Sequence, residues 1–520
     1  MTFSTVADIV REYGATRPEA TAIVYGERTL TYGDLDVRSN RVANGLAAAG
    51  VDAQDRVAYL DRNAPEYVDV MFGTAKLNAV MCAVNWRLAP PEAAFIVNDS
   101  ESTVLIVGEE LVAMLDAMQP DLTTVKKVIV VGQHGTHERY DDWLARQAAT
   151  DPRAPSTTDD VAMQFYSSGT TGRPKGVMLT NGNLFSGIAA NNTSLGFGAD
   201  SVNLVVMPLF HVAGGAWALT GLYNAVPNVL MRDVDPAAIV RLISRHGITH
   251  AVFVPVLIQF LLMVPAVENT DFSSLDVIVY GASPISEDVL TKAIRTFKCK
   301  FLQAYGMTET TGGCVLLPPE DHDPDGPNAH RLRAAGRPGP NTEVRVVDEM
   351  ALEDVPTGEV GEILVRSPQN MKGYWKMPDA TAETILSDGW LRTGDAGYLD
   401  ADGYVYIHDR VKDMIISGGE NIYPAEVENA LMSHPGIADV AVIGVPDERW
   451  GETPKAVVVL APDAAPTADD VIAFTRERVA HYKCPTSVDF VDALPRNPSG
   501  KILKKDLRAP YWADRERSVN

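Results

Sequence analysis

The chain has 520 residues, of which 46% are hydrophobic and 22% are charged. This composition is typical of a globular protein with roughly two to four folding units and ample core. The formal net charge is −23, from 45 basic and 68 acidic residues, and it argues against nucleic acid or an anionic membrane as a partner.

The sequence contains no pattern that predicts export or a membrane span. Charged residues interrupt the first twenty positions, so the apolar segment of a signal peptide is missing. The most apolar stretch, residues 251–265, is too short to cross a bilayer, and we interpret it as a buried helix. The cysteines lack metal-ligand spacing, which predicts free thiols and a cytoplasmic location.

The first 330 residues alternate between helical and strand patterns. Thr31 and Asp34 form a capping-box pattern ahead of Leu35, Val42 and Leu46, which recur at helical spacing. Continuous apolar runs predict parallel strands covered on both faces. These runs lie at residues 57–60, 103–107, 127–131, 202–209, 250–254, 276–280 and 300–302. We therefore predict two α/β layers side by side.

Beyond residue 340 the pattern changes twice. Short β-rich segments at 343–347, 362–365 and 404–407, with an Asp402-Gly403 turn, predict a small barrel-like subdomain. From about residue 412 a helix beginning at Pro424 and strands at 440–445 and 456–460 predict a compact α+β module. The expected domains are 1–411 and 412–520.

A loop rich in glycine and hydroxyl groups follows the apolar strand pattern of residues 161–166. Its glycines let backbone N–H groups converge on an anion, while hydroxyls and a lysine add donors and charge. It is not a Walker A loop, because Gly169 and Gly172 are three residues apart and Lys175 is followed by Gly176. An ordinary surface turn is the alternative. The candidate phosphate-binding residues are Ser167, Ser168, Gly169, Thr170, Thr171, Gly172 and Lys175.

Further candidate motifs follow in chain order, mostly after predicted strands, where α/β proteins bind ligands. They are Phe210-His211-Val212-Ala213-Gly214-Gly215; Gly281-Ala282-Ser283-Pro284; Gln303-Ala304-Tyr305-Gly306-Met307-Thr308-Glu309; Arg392-Thr393-Gly394-Asp395; Arg410-Val411-Lys412; Gly418-Gly419; and Ser499-Gly500-Lys501. Each motif alone is more typical of a structural loop than of a binding site.

As an ordered set, these motifs resemble those of the adenylate-forming ligases, which include acyl-CoA synthetases, aryl-CoA ligases, amino-acid adenylation domains and luciferases. Residues 166–177 match that family's AMP-binding loop without a gap, and the resemblance extends from about residue 6 to 507. It implies ATP, Mg²⁺ and coenzyme A as cofactors, a large N-terminal domain and a small mobile C-terminal domain. It also implies two half-reactions, acyl-AMP formation followed by thioester formation.

The resemblance further implies roles for individual residues. Residues 281–284 and 303–306 would form the adenine wall, with Tyr305 stacked on the base. Thr308 would contact the α-phosphate, and Glu309 with Ser167 would hold magnesium. Asp395 and Arg410 would bind the ribose. Lys412 would be the domain hinge, Gly418 and Gly419 would line the pantetheine tunnel, and Lys501 would be the adenylation lysine.

The residues around His211 indicate the acyl group. In the resemblance this histidine gates the acyl pocket, and Val212, Gly214 and Gly215 would bind the substrate with Gly306. This segment lacks the acidic residue that a substrate ammonium would require, so we expect an uncharged tail. A medium- or long-chain fatty acid is the first expectation. An aryl acid such as coumarate or benzoate, and a ligase serving a carrier protein, are the alternatives, and a homodimer is left open.

Overall fold

The computed structural model describes residues 3–133, 135–167, 174–283, 285–410, 413–417, 420–447, 449–496 and 502–513, apart from the side chains of residues 409, 410, 420 and 421. The α-helices are α1 (Val6–Thr16), α2 (Tyr32–Ala48), α3 (Pro65–Lys76), α4 (Pro90–Asp99), α5 (Val112–Met118), α6 (Tyr140–Ala145), α7 (Asn181–Leu195), α8 (Val212–Tyr223), α9 (Pro236–His246), α10 (Pro255–Leu262), α11 (Glu287–Phe297), α12 (Pro378–Thr384), α13 (Pro424–Met432), α14 (Ala468–Arg476) and α15 (Lys504–Arg508).

The strands before residue 340 are β1 (Thr21–Tyr25), β2 (Arg28–Thr31), β3 (Arg56–Leu60), β4 (Val80–Ala83), β5 (Val104–Gly108), β6 (Lys127–Val131), β7 (Glu138–Arg139), β8 (Val161–Ser167), β9 (Lys175–Thr180), β10 (Asn203–Val205), β11 (Asn228–Leu230), β12 (His250–Phe253), β13 (Val277–Gly281), β14 (Lys300–Met307), β15 (Gly312–Leu317) and β16 (Arg337–Pro338). Those after it are β17 (Glu343–Val347), β18 (Gly361–Arg366), β19 (Gly373–Tyr374), β20 (Leu391–Leu399), β21 (Val405–Arg410), β22 (Ile415–Ser417), β23 (Glu420–Ile422), β24 (Ile437–Asp447), β25 (Gly451–Leu460) and β26 (Ser487–Phe490).

Two largely parallel sheets form the N-terminal part of the chain. The first has the order β16-β15-β14-β13-β12-β10-β11-β1-β2, and the second has the order β19-β9-β8-β4-β3-β5-β6-β7. Every residue of β3 and of β5 is buried, as expected for central strands covered on both faces. The main hydrophobic core joins residues of both sheets with α1, α2, α3 and α8. The predicted pair of α/β layers is confirmed.

The region after residue 340 also has the predicted character. The antiparallel sheet β17-β18-β20-β21 follows, and Gly403 turns the chain between β20 and β21 with φ of +79°. A further sheet, β23-β22-β25-β24 with β26 beside β25, packs with α13. Its core contains Ile415, Val427, Leu431 and Val458. This last unit is the expected α+β module.

Two local predictions were wrong. Residues 251–265 are not one buried helix, because the chain runs through β12 before α10 begins at Pro255. Proline is favoured in the first helical turn and holds the preceding residue extended, and Val254 has ψ of 151°. The strand predicted at 202–209 is shorter, since β10 ends at Val205. Among the described residues, no helix is both long and apolar enough to cross a membrane.

Candidate active site

A cavity of about 760 Å³ lies where strands of the two sheets end, which is the usual ligand-binding edge of α/β proteins. Strands β13 and β14 are parallel neighbours and pair Gly281 with Ala304, so the two predicted adenine-wall motifs lie side by side. The predicted residues that line this cavity are Ser167, Lys175, His211, Val212, Gly281, Ala282, Ala304, Gly306, Thr308 and Glu309.

The carboxylate of Glu309 is the polar centre of this cavity. Its side chain is buried, with 5% exposure, and its Oε1 accepts hydrogen bonds from Ser167 Oγ at 3.0 Å and from Tyr374 OH at 2.9 Å. No described residue donates to Oε2. Ser167 ends β8 and Tyr374 lies on β19, so both donors come from the second sheet, whereas Glu309 follows β14 of the first. The contact therefore joins the two sheets at the site.

Tyr374 is a site residue that the sequence did not reveal. Its ring also lies under the ammonium group of Lys175, with 4.6 Å between Nζ and the ring centroid. A cation over an aromatic face is attracted by the ring electrons, so this contact places Lys175 at the cavity. The surrounding sequence, Gly373-Tyr374-Trp375, carries no local signal for such a role, because both contacts are made across the fold.

A second pair of predicted residues meets at the end of β14. Tyr305 OH donates to Asp395 Oδ2 at 2.7 Å, and the backbone N–H of Asp395 donates to Thr393 Oγ1 at 3.1 Å. Burial raises the pKa of the Tyr305 phenol well above its usual range, and the neighbouring Asp395 charge adds to this effect. Asp395 and Tyr305 do not line the described cavity, whereas their neighbours Thr393 and Gly394 do. Arg410 pairs with Asp395 along β20 and β21.

Close backbone approach explains the glycines of the adenine-wall motifs. A Cβ at Gly306 would lie 1.8 Å from the carbonyl oxygen of Gly312, and one at Gly281 would lie 2.1 Å from that of Ala304. Ala282 takes a left-handed conformation, with φ of +67°, which is unusual for a residue with a side chain. Gln303 accepts from Tyr280 OH at 3.0 Å. Ser283 and Gln303 do not line the described cavity.

His211 immediately precedes α8 and lies 4.4 Å from the Phe210 ring, centroid to centroid. Burial lowers its pKa to about 4, and the positive charge of Arg87 acts in the same direction. The imidazole is therefore neutral near pH 7. Its Nε2 is buried and has no hydrogen-bond partner among the described residues. A ligand in the cavity would therefore meet a neutral imidazole whose Nε2 can still form a hydrogen bond.

Two glycines of the His211 motif lie off the cavity wall. A Cβ at Gly214 would lie 2.2 Å from the carbonyl oxygen of Pro208, and one at Gly215 would lie 2.8 Å from Tyr67 OH. Their small size therefore allows α8 to pack closely, whereas the room in the cavity is set by Val212, Ala213 and Ala216. The predicted residues Ser168, Gly169, Thr170, Thr171, Gly172, Pro284, Lys412, Gly418, Gly419 and Lys501 lie outside the described part of the chain, as does the Arg410 side chain.

Comparison with known proteins identifies the family to which this fold belongs. The family model of AMP-binding enzymes matches residues 10–375, and that of the AMP-binding enzyme C-terminal domain matches residues 426–501. The chain is 42% identical to the fatty acid–[acyl-carrier-protein] ligase ScoC of Streptomyces coeruleorubidus, over 97% of this chain and 96% of the relative. It is 41% identical to a feruloyl-CoA synthase of an Amycolatopsis species, over 95% and 96% of the two chains.

A solved structure has the same overall arrangement. The anthranilate CoA ligase AuaEII, in complex with anthranoyl-AMP, superposes with a TM-score of 0.89 at 28% identity and covers 98% of both chains. The fold is thus that of an α/β adenylate-forming enzyme, and the chain belongs to the AMP-binding enzyme family. It is an AMP-forming acid–thiol ligase, which activates a carboxylic acid with ATP to acyl-AMP and then forms a thioester.

Proposed function

We propose that the acid is a medium- or long-chain fatty acid and that the thiol is coenzyme A. The observation that carries this proposal is the length of the apolar wall. One face of α7 lines the cavity at Leu184, Gly187, Ile188, Asn191 and Leu195. At about 1.5 Å per residue, this face runs for roughly 16 Å. An extended chain of roughly a dozen carbon atoms would span it, since each C–C bond is about 1.5 Å long and zigzags.

The facing wall is also mostly apolar, apart from Thr220 near the end of α8. Val212, Ala213, Ala216 and Leu219 contribute from α8, and Val252 contributes from β12. Neither α7 nor α8 contains an aspartate or glutamate, so neither offers a partner for the ammonium group of an amino acid. This composition favours an uncharged hydrocarbon tail over an amino acid.

Two alternatives have specific support. The similarity to a feruloyl-CoA synthase and to an anthranilate CoA ligase supports an aryl acid as the second candidate. The similarity to a fatty acid–[acyl-carrier-protein] ligase supports a carrier protein as the alternative thiol. An aryl acid is compact and would leave the end of the cavity near Leu195 empty, which is why we rank it second.

In the first half-reaction, the substrate carboxylate attacks the α-phosphorus of ATP and pyrophosphate leaves. Glu309 and Ser167 fit a magnesium ion, because Mg²⁺ prefers hard oxygen ligands and binds through one or two carboxylates with substrate phosphates. The described residues include no group of three or more His, Cys, Asp and Glu that could hold a metal. When bound, the ion would neutralise phosphate charge. We assign Thr308 to the α-phosphate, Asp395 and Arg410 to the ribose, and Lys501 to the developing negative charge.

In the second half-reaction, the thiol attacks the acyl-AMP carbonyl. We propose that a C-terminal domain comprising residues 412–520 turns about Lys412 between the two steps, so that one cavity serves both. Gly418 and Gly419 would then line the thiol path. Neutral His211, beside the acyl wall, would move aside without breaking an ion pair, because its ring carries no charge near pH 7.

The test measures pyrophosphate release over acetate, octanoate, dodecanoate, palmitate, benzoate and 4-coumarate, each with and without CoA. We expect CoA-dependent turnover that is highest on octanoate or dodecanoate. Ala216→Trp, which narrows the cavity, should suppress dodecanoate far more than acetate. Ala189→Trp is the matched control, since Ala189 is an exposed residue of α7. Highest turnover on benzoate or 4-coumarate would overturn the fatty-acid proposal. Thioester formation only with a carrier protein would overturn the proposal that coenzyme A is the thiol.

A further inference from the structure

The apolar wall of the acyl cavity contains one amide whose orientation the structure fixes. Asn191 lies on the cavity face of α7, between Ile188 and Leu195. Its Nδ2 donates to the carbonyl oxygens of Gly187, at 2.8 Å, and Gly313, at 3.3 Å. Both partners are acceptors, so the NH₂ group must face them. The side-chain Oδ1 is left as an acceptor, and no described residue donates to it.

A second acceptor lies on the other helix of the cavity. Thr220, near the end of α8, also lines the cavity, and its hydroxyl donates to the carbonyl oxygen of Ala216 at 2.8 Å. That bond uses the only hydroxyl hydrogen, so the remaining capacity of the oxygen is to accept. Hydrogen bonds near the ends of α7 and α8 join these two helices beside Asn191 and Thr220. Asn192 exchanges hydrogen bonds of 3.1 and 3.0 Å with Asn224, whose Nδ2 donates to the Thr220 carbonyl.

These acceptors would be costly to cover with a plain hydrocarbon. A polar group that loses water without gaining a partner destabilises the bound state, whereas a donor placed against it restores the lost hydrogen bond. Asn191 is four residues beyond Gly187 on α7, which is roughly 6 Å deeper along the helix. A Cβ at Gly187 would contact Thr311, three residues after Thr308, so Gly187 marks the region near the reacting end.

We propose that Asn191, assisted by Thr220, is a specificity-determining residue that selects acids whose tail carries a hydroxyl group at a set distance from the carboxylate. This inference rests on the proposed function and refines its substrate class. An aliphatic hydroxy acid and a phenolic acid present the same donor, and the single O–H hydrogen of either acid can be accepted by Asn191 Oδ1 or by Thr220 Oγ1, whatever the carbon skeleton. An acid lacking this donor would bind with the amide oxygen of Asn191 unpaired.

The experiment compares kcat/KM for pyrophosphate release on matched acids that differ by one hydroxyl. The aliphatic arm pairs hexanoate, octanoate and decanoate with their ω-hydroxy forms, and the aryl arm pairs cinnamate with 4-coumarate. We expect at least one hydroxylated acid to exceed its partner by about tenfold or more. Asn191→Leu, which has a similar volume without the amide, should remove or reverse this ratio, mainly through KM. The arm that shows the effect identifies the skeleton, and an effect in the aryl arm alone would support this inference while overturning the fatty-acid proposal.

Thr220→Val provides a second variant, which should weaken the ratio less than Asn191→Leu does. Because each ratio compares two acids on the same protein, a general loss of folding or of ATP binding cancels. No hydroxyl preference in the wild type, or an unchanged ratio in Asn191→Leu, would overturn this inference while leaving the proposed function intact. If none of these acids released pyrophosphate, both proposals would fail.

Discussion

The hydrogen bond from Tyr374 to Glu309 offers a test of how the site holds its carboxylate. Tyr374→Phe removes the phenolic OH and keeps the ring on which Lys175 rests. Hydrogen bonds to charged groups contribute about 1.5–3 kcal/mol, which corresponds to roughly 10- to 150-fold in rate if the bond is fully used in the transition state. Because Ser167 still donates to the same oxygen, we expect a decrease in rate at the lower end of this range, about tenfold.

The assay is acid-dependent pyrophosphate release at a series of Mg²⁺ concentrations. A less well held carboxylate should raise the Mg²⁺ concentration needed for half-maximal rate. Tyr404→Phe is the matched control, because Tyr404 is also buried and its OH donates to the Asp321 carboxylate at 2.6 Å, and neither residue lines the cavity. The reasoning is refuted if Tyr374→Phe keeps the wild-type rate and Mg²⁺ requirement, or if the control variant loses as much activity.

Three further predictions follow from the site. Gly306→Ala should lower thermal stability and pyrophosphate release, because its Cβ would lie 1.8 Å from the Gly312 carbonyl oxygen. We expect a loss of about 1–3 kcal/mol in the free energy of unfolding. Gly198→Ala is the control and should have little effect, since its added Cβ would meet nothing within 4 Å. The pKa of His211 is about 4 in the folded protein and an ordinary 6.5 in the unfolded chain. Between pH 4 and 6.5 the unfolded state therefore binds more protons, so the free energy of unfolding falls as the pH is lowered from 6.5 to 4. His211→Gln should flatten that part of the stability curve, and an unchanged slope would contradict the low pKa. Lys501→Ala should abolish acyl-AMP formation but leave thioester formation from supplied acyl-AMP largely intact; equal loss of both would contradict its assigned role.

The arrangement of the loops that line the cavity was predictable from local sequence. Parallel strands end at one edge of a sheet, so two loop motifs that follow adjacent strands must meet there, as Gly281 and Ala304 do. The contact between Ser167 and Glu309 was anticipated only through the family resemblance, because the two residues lie in different sheets. The α/β layers and the C-terminal module were predictable because continuous apolar runs and cap residues are local signals.

Contacts made across the fold could not be predicted in the same way. Tyr374 reaches Glu309 from a two-residue strand, and nothing near it in the sequence encodes that partner. The glycines after His211 are consistent either with room for a ligand or with close packing of the helix, and the sequence does not distinguish the two. Only the position of the Pro208 carbonyl oxygen decides between them. Likewise, the open acceptor of Asn191 depends on where the Gly313 carbonyl lies.

The most direct test of the account is exchange of labelled pyrophosphate into ATP in the absence of CoA. Reversible adenylation predicts exchange that requires both Mg²⁺ and a carboxylic acid, and that is strongly reduced in Glu309→Gln. Addition of CoA should then convert the accumulated acyl-AMP to thioester with release of AMP. Exchange that proceeds without an acid, that persists unchanged in Glu309→Gln, or that is replaced by release of ADP would contradict the two-step mechanism at this site.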